Sequence, residues 1–243
     1  MRRLAGALLA GLLLCSAAAQ AGQACATTPV ARQKEYPWMS IARWHEMHAA
    51  QQARAREGGV ELMFVGDSIT EGWPKDQWEA NFGRFKPANF GIGGDHTGNL
   101  LYRLDDPAMA ALAPRAIVLL IGVNNFSQCG DDAEQVFAGI RAVLAKLRTM
   151  YPQARILLNG VLPHGAPDEA DKRTRLRDLN RLVATLADGR QVVYRDYGPR
   201  LVQADGAISR DVMPDYLHPN ANGYRLWAAA MLPDIEQLMA APR

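Results

Sequence analysis

Four short apolar runs set the strongest limit on what this chain can fold into. Residues 61–65, 116–121, 156–159 and 192–194 are each followed closely by Gly, Pro or Asp. Apolar runs of that length, without strict alternation, read as strands buried on both faces. Longer helical stretches lie between them, clearest at 132–150 and 168–187, and residues 221–239 close the chain with another. Strand and helix therefore alternate, which predicts a parallel sheet with helices on both faces. Ligands of such sheets bind beyond the carboxyl ends of the strands, so the chemistry is expected just after each run.

Upstream of the first run, Trp38, Ile41, Trp44 and Met47 recur every three residues, and residues 36–54 read as an amphipathic helix ended by Gly58 and Gly59. Earlier still, Arg2 and Arg3 precede an apolar stretch, residues 4–14, that is too short to span a bilayer. Ala19-Gln20-Ala21 has the spacing of a signal-peptidase site. The expected organisation is a signal peptide at 1–21, an N-terminal segment with its helix at 22–57, and one catalytic-sized domain at 58–243. Export to the periplasm or the extracellular space follows as the expected localisation. Bulky Leu14 before Cys15 argues against lipid attachment.

Net charge is +2, and setting Arg2 and Arg3 aside leaves it at zero. Such a balance is no footprint for nucleic acid or an anionic membrane. Removal of the leader leaves Cys25 and Cys129, an even pair in an oxidising compartment. They are either a bridge tying the mature N-terminus to the domain or two separate thiols.

The residues just after the strands are unusual. Gly66-Asp67-Ser68-Ile69-Thr70 follows the first run, and a serine opening a helix there offers both a hydroxyl and an unpaired first-turn N–H. The same pattern also makes an ordinary helix N-cap. Asp215-Tyr216-Leu217-His218-Pro219 precedes the last helix, and an Asp and a His on one turn can form a carboxylate–imidazole pair. Gly91-Ile92-Gly93-Gly94-Asp95 and Gly122-Val123-Asn124-Asn125 can supply a glycine N–H and an amide to a developing oxyanion. They can equally be a tight turn and an Asx turn.

Competing signatures fail. Gly91-Ile92-Gly93 does not extend to a dinucleotide fingerprint, because its sixth position is His96. His45 and His48 are three apart, where a zincin helix needs four. Thr70 stands where the nucleophile elbow of α/β-hydrolases has glycine. No cofactor and no metal are expected.

Taken in order, Gly66-Asp67-Ser68, Gly94, Asn124 and Asp215-x-x-His218 resemble the four-block signature of the SGNH (GDSL-type) hydrolases. Within that superfamily, Asn89 to Asp95, Leu101-Tyr102-Arg103-Leu104, Gly122 to Asn125 and Asp205 to Ser209 are similar to stretches of the platelet-activating factor acetylhydrolase catalytic-subunit-like group. Ile69-Thr70-Glu71-Gly72-Trp73 and the leader depart from that group. The resemblance implies an α/β fold, a flavodoxin-like three-layer α/β/α sandwich. It also implies Ser68 as nucleophile, His218 as general base, Asp215 as its orienting acid, and Ser68, Gly94 and Asn124 as the oxyanion hole. The expected function is a secreted serine esterase acting on short-chain, acetyl esters of carbohydrates or small molecules. Lysophospholipase or thioesterase activity is the alternative within enzymes, and a non-catalytic carbohydrate-binding protein the alternative outside them. Expected partners are a small-molecule or glycan ester, with no nucleic acid and no transmembrane segment.

Overall fold

The computed structural model describes residues 25–241; the expected signal peptide lies outside them. Five parallel strands form one sheet in the order β2-β1-β3-β4-β5: β1 (Leu62–Gly66), β2 (Pro87–Gly91), β3 (Ala116–Leu120), β4 (Arg155–Asn159) and β5 (Val192–Arg195). β1 and β3 are buried along their whole length, as apolar runs without alternation require. β2, which the four runs did not include, alternates partly exposed Pro87 and Asn89 with buried Ala88 and Phe90. It is an edge strand, and its proline occupies the first position, where no ladder hydrogen bond is lost.

The helices are α1 (Ile41–Glu57), α2 (Ser68–Glu71), α3 (Lys75–Phe82), α4 (Thr97–Leu104), α5 (Pro107–Ala110), α6 (Ala133–Met150), α7 (Ala170–Ala184) and α8 (Ala221–Ala240). α4, α6 and α7 pack side by side as one layer, and α3 packs with α8, which also rests on β3 and β4. The result is the expected three-layer α/β/α sandwich. Among the described residues, no helix is long and apolar enough to cross a membrane.

The first helix corrects the sequence reading. α1 starts at Ile41, capped by Ser40, whose side chain accepts from the Arg43 N–H at 2.9 Å. Its buried residues are Trp44, His48 and Ala55, at helical spacing, rather than a face including Trp38. Ahead of it, Pro37 sits in a turn closed by Tyr36 and Met39, which exchange backbone hydrogen bonds of 3.0 and 3.1 Å. Trp38 therefore stands outside the helix and 58% exposed.

Residues 25–40 form a strap across one end of the sheet. Cys25 and Cys129 are joined as a disulfide, with Cα atoms 6.0 Å apart. Asn99 Nδ2 donates to the Val30 carbonyl at 2.9 Å, and Thr97 Oγ1 to that of Ala26 at 2.7 Å. Arg32, only 4% exposed, donates to the Gly93 carbonyl at 2.9 Å. Of the two cysteine readings left open above, the structure contains the bridge.

Candidate active site

In-register pairing aligns the strand ends. Gly66 pairs with Gly91 on one side and Leu120 on the other, so the loops after β2, β1 and β3 emerge next to one another. β2 lies on one side of β1 and β3 on the other, so the strand order reverses here, which makes this the switch point where such sheets bind ligands. Gly66 is required for the close approach: a Cβ there would run into the Leu120 carbonyl and the Thr70 side chain.

Ser68 is the first residue of α2. Its cap is Asp67, whose Oδ1 accepts from the Ile69 N–H at 3.0 Å and leaves the Ser68 N–H at the exposed end of the helix. Asp67 is fully buried, and its other oxygen meets no donor among the described residues. Burial, with the neighbouring Asp95 charge adding, pushes the Asp67 carboxyl up to about 7.

His218 reaches this serine from the far end of the sequence. Ser68 Oγ lies 2.9 Å from His218 Nε2, and His218 Nδ1 lies 2.7 Å from Asp215 Oδ2. Asp215 Oδ1 also accepts from the N–H groups of Leu217 and His218 at 3.0 and 2.8 Å. Between them Tyr216 takes φ +59°, a left-handed conformation uncommon for a residue with a side chain. That turn lets one carboxylate hold both the backbone and the ring of the histidine. Partial burial would raise the Asp215 carboxyl, but hydrogen bonds from the His218 ring and the two N–H groups hold it below the usual carboxylate range. The carboxylate stays charged opposite the imidazole, which then carries its proton on Nδ1 and turns a lone pair toward Ser68. α8 fixes the loop that carries His218: Asn220 caps it, and buried Tyr224 donates to the Ile69 carbonyl of α2 at 2.8 Å.

The glycine loop packs directly on the serine. A Cβ on Gly93 would sit 3.8 Å from Ser68 Cβ, and the Gly93 N–H is already used by Glu71 Oε2 at 2.6 Å. Gly94 takes φ +73°, and no described residue accepts its N–H; its carbonyl is held by Gln128 Nε2 at 2.7 Å. A Cβ at Gly94 would collide with the Trp38 indole, so both conformation and space demand glycine. Asn124, which leads into a single π-turn (Asn125–Cys129), donates one amide hydrogen to the Asp95 carbonyl at 3.0 Å and retains a second. Asn125 points the other way. It is fully buried, accepts from the Thr97 N–H at 3.0 Å, and donates to Thr97 Oγ1 at 2.8 Å and Asp131 Oδ2 at 2.9 Å.

Beside Asn124 and Asp215 opens a cavity of about 280 Å³, walled by Val123, Phe126, His164 and Tyr216 among others. A larger groove of about 870 Å³ lies between α7 and β5, and none of Ser68, Gly94, Asn124, Asp215 and His218 reaches it.

The sequence motifs did not reveal the buried support of this site. Asp95 accepts from Trp44 Nε1 at 2.6 Å and Arg103 Nε at 2.7 Å, with Arg32 at 3.5 Å. Arg103 also donates to the carbonyls of Gly66 and Phe90, at 3.1 and 2.9 Å, pinning the ends of β1 and β2. The available signal was an arginine amid leucines in Leu100-Leu101-Tyr102-Arg103-Leu104.

Residues 64–226 match the model of the GDSL-like Lipase/Acylhydrolase family. The chain belongs to that family. The GDSL-like chain is 35% identical over 184 residues to platelet-activating factor acetylhydrolase IB subunit alpha1 of Rattus norvegicus, covering 75% of this chain and 78% of the relative. The alpha2 subunit of Gallus gallus is 31% identical over 183 residues, covering 75% and 79%. Among solved structures, a GDSL-like lipase of Bacteroides thetaiotaomicron superposes with a TM-score of 0.64 at 21% identity, covering 79% of this chain and 97% of its own. The acetylxylan esterase Axe2 of Geobacillus stearothermophilus gives 0.59 at 18%, covering 76% and 96%. These two likenesses concern the fold. This GDSL-like protein is a hydrolase acting on carboxylic esters.

Proposed function

We propose that the protein is an exported serine esterase that removes short acyl groups, acetyl foremost, from carbohydrates or small molecules. The observation that carries the reading is the unbroken chain from Ser68 Oγ to His218 at 2.9 Å and on to Asp215 at 2.7 Å, at the strand ends beside a small cavity. His218 Nε2 takes the serine proton as Oγ attacks the ester carbonyl, and Asp215 stabilises the imidazolium that forms. The N–H groups of Ser68 and Gly94 and the Asn124 amide hold the oxyanion. The alcohol leaves with the proton from His218, and water activated by the same ring then hydrolyses the acyl-enzyme to the carboxylic acid.

A cavity of about 280 Å³ beside Asn124 and Asp215 leaves room for an acyl group. That the acyl group is short is supported by the name acetylhydrolase carried by the relatives at 31–35% identity. Export is supported by the leader-like residues 1–21 and by the Cys25–Cys129 bridge, since such bridges persist in oxidising compartments. The test is a chain-length series of p-nitrophenyl esters on the mature protein and on Ser68→Ala. Acetate should be the fastest ester, its turnover should fall by several orders of magnitude in Ser68→Ala, and an organophosphorus probe should label Ser68 alone. A rate rising toward decanoate would favour a long-chain acyl or lysophospholipid substrate. Labelling at Ser127 or Ser209 would overturn the assignment of the nucleophile.

A further inference from the structure

Large hydrophobic side chains exposed among the described residues are two, Trp38 at 58% and Tyr102 at 38%. Tyr102 leans on Trp44 and His48, away from the strand-end glycines, whereas Trp38 touches Gly94 itself. The Trp38 ring stacks on Tyr36, with centroids 4.8 Å apart and planes 19° from parallel. Arg32 stands 5.5 and 5.7 Å from the two ring centroids while its guanidinium grips the Gly93 carbonyl. Tyr36 is held in turn by its hydroxyl, which donates to Gln128 Oε1 at 3.1 Å, and Gln128 holds Gly94.

Packing alone does not account for this arrangement. A tryptophan buried for stability hides its indole, yet more than half of this one faces water. What the turn, the stack and the buried arginine achieve is orientation: a large flat ring held still at the rim of the glycine loop that touches Ser68. Pre-ordering an aromatic surface removes part of the entropic cost of binding against it.

We propose that Trp38 is the floor of a sugar subsite, on which the pyranose ring of an O-acetylated carbohydrate stacks while its acetyl group enters the site of Ser68. A pyranose has an apolar face of C–H bonds that suits an indole, and a rim of hydroxyls that suits polar surroundings. Exposed Lys34 and half-buried Gln128 are the polar neighbours of this aromatic pair that can face a ligand. A lipid surface would instead require a contiguous apolar patch, and Trp38 is a single exposed ring among such groups. The proposal rests on the acetylesterase reading and names its substrate class.

The test compares glucose pentaacetate with ethyl acetate, an ester lacking both sugar and aromatic ring, on the mature wild type, Trp38→Ala and Trp38→Phe. The ratio of kcat/KM for the sugar ester over ethyl acetate should fall about tenfold or more in Trp38→Ala, mainly through KM. Trp38→Phe, which keeps a flat ring, should retain most of the ratio and shows that any loss is not misfolding. A ratio equal in all three enzymes would overturn the proposal. So would a loss in Trp38→Ala confined to a long-chain ester dispersed in phosphatidylcholine micelles, which would assign the ring to a lipid surface. Wild type inert on both esters would refute the esterase reading instead. Saturation-transfer NMR of glucose pentaacetate with Ser68→Ala, which needs no turnover, then decides the subsite separately: ring-proton signals are expected with Trp38 present and lost in Ser68→Ala/Trp38→Ala, and equal signals in both would refute it.

Discussion

Asn124 and Asn125 are adjacent, chemically identical and oppositely directed, so truncating each in turn separates chemistry from scaffold. Asn124→Ala removes one hydrogen bond, to the Asp95 carbonyl at 3.0 Å. At about 1 kcal/mol net for such a bond, the melting temperature should fall by only about 2–4 °C. If the second amide hydrogen serves the oxyanion, its loss costs about 2.7–4 kcal/mol of activation free energy, a hundredfold to a thousandfold in kcat, with KM nearly unchanged. Asn125→Ala inverts the pattern. Three hydrogen bonds of 2.8–3.0 Å disappear from a fully buried site, and the Thr97 N–H and the Asp131 carboxylate are left without that partner. Roughly 3 kcal/mol or more should go, lowering the melting temperature by roughly 6–12 °C while the folded fraction keeps most of its rate.

The assay is p-nitrophenyl acetate hydrolysis at 25 °C, below both transitions, alongside melting curves followed by circular dichroism. An Asn125→Ala that melts like wild type but turns over a hundredfold slower, beside an active Asn124→Ala, would refute the reasoning. The refutation would be specific, because it would mean the π-turn presents the second asparagine to the substrate.

Two further perturbations test the surroundings of the site. Asp67 has a folded-state pKa of about 7 against 3.8 for the free group, so the unfolded chain ionises first and the stability Asp67 contributes is lost as pH rises from about 4 to about 7. Asp67→Asn keeps the cap on Ile69 and removes that loss, so its stability relative to wild type should improve by a few kcal/mol between pH 5 and pH 8; parallel melting temperatures across that range would exclude a raised carboxyl. Cys25→Ser opens a bridge spanning 104 residues and should cost about 2–4 kcal/mol, lowering the melting temperature by roughly 5–15 °C. Because the strap also carries Arg32 and Trp38 to the glycine loop, acetate turnover should drop in the same variant; an unchanged melting curve would show that the strap is held without the disulfide.

The strands and long helices were legible because their periodicity is set by burial. β3 is apolar throughout and β4 is apolar between Arg155 and Asn159, and α6 and α8 begin at the residues where capping Asp132 and Asn220 stop competing with the helix. β2 was not legible, since an edge strand with Pro87 and Asn89 on its half-solvated side has the composition of a loop. Trp38 was misplaced for a related reason: spacing by threes suits a helix, but Pro37 and the Ser40 cap delay its start. At the site, residues that can act chemically announced themselves by type and position, as Ser68, Asp215 and His218 did. Their supports did not, because what Arg103 and Asn125 do depends on which carbonyls and hydroxyls the fold brings to them from 13 or more residues away.

That dependence explains why a site this exposed can be held in place. The Asp215 and His218 side chains are 55% and 42% exposed, and a surface pair of that kind contributes little to its own rigidity. Order has to come from beneath. Burial pushes the Asp95 carboxyl up, while Arg103, the Trp44 N–H and Arg32 favour its charged form. Each of these partners comes from a different part of the chain: Arg103 from α4, Trp44 from α1, and Arg32 from the strap. Asp95 itself closes the glycine loop and lends its carbonyl to Asn124. Removing Arg103, the cation in direct contact with Asp95 at 2.7 Å, would break the buried pair, which typically costs about 3–5 kcal/mol. The residues that act on the ester can therefore stay open to solvent, because the loops carrying Gly94 and Asn124 are tied to this buried ion pair.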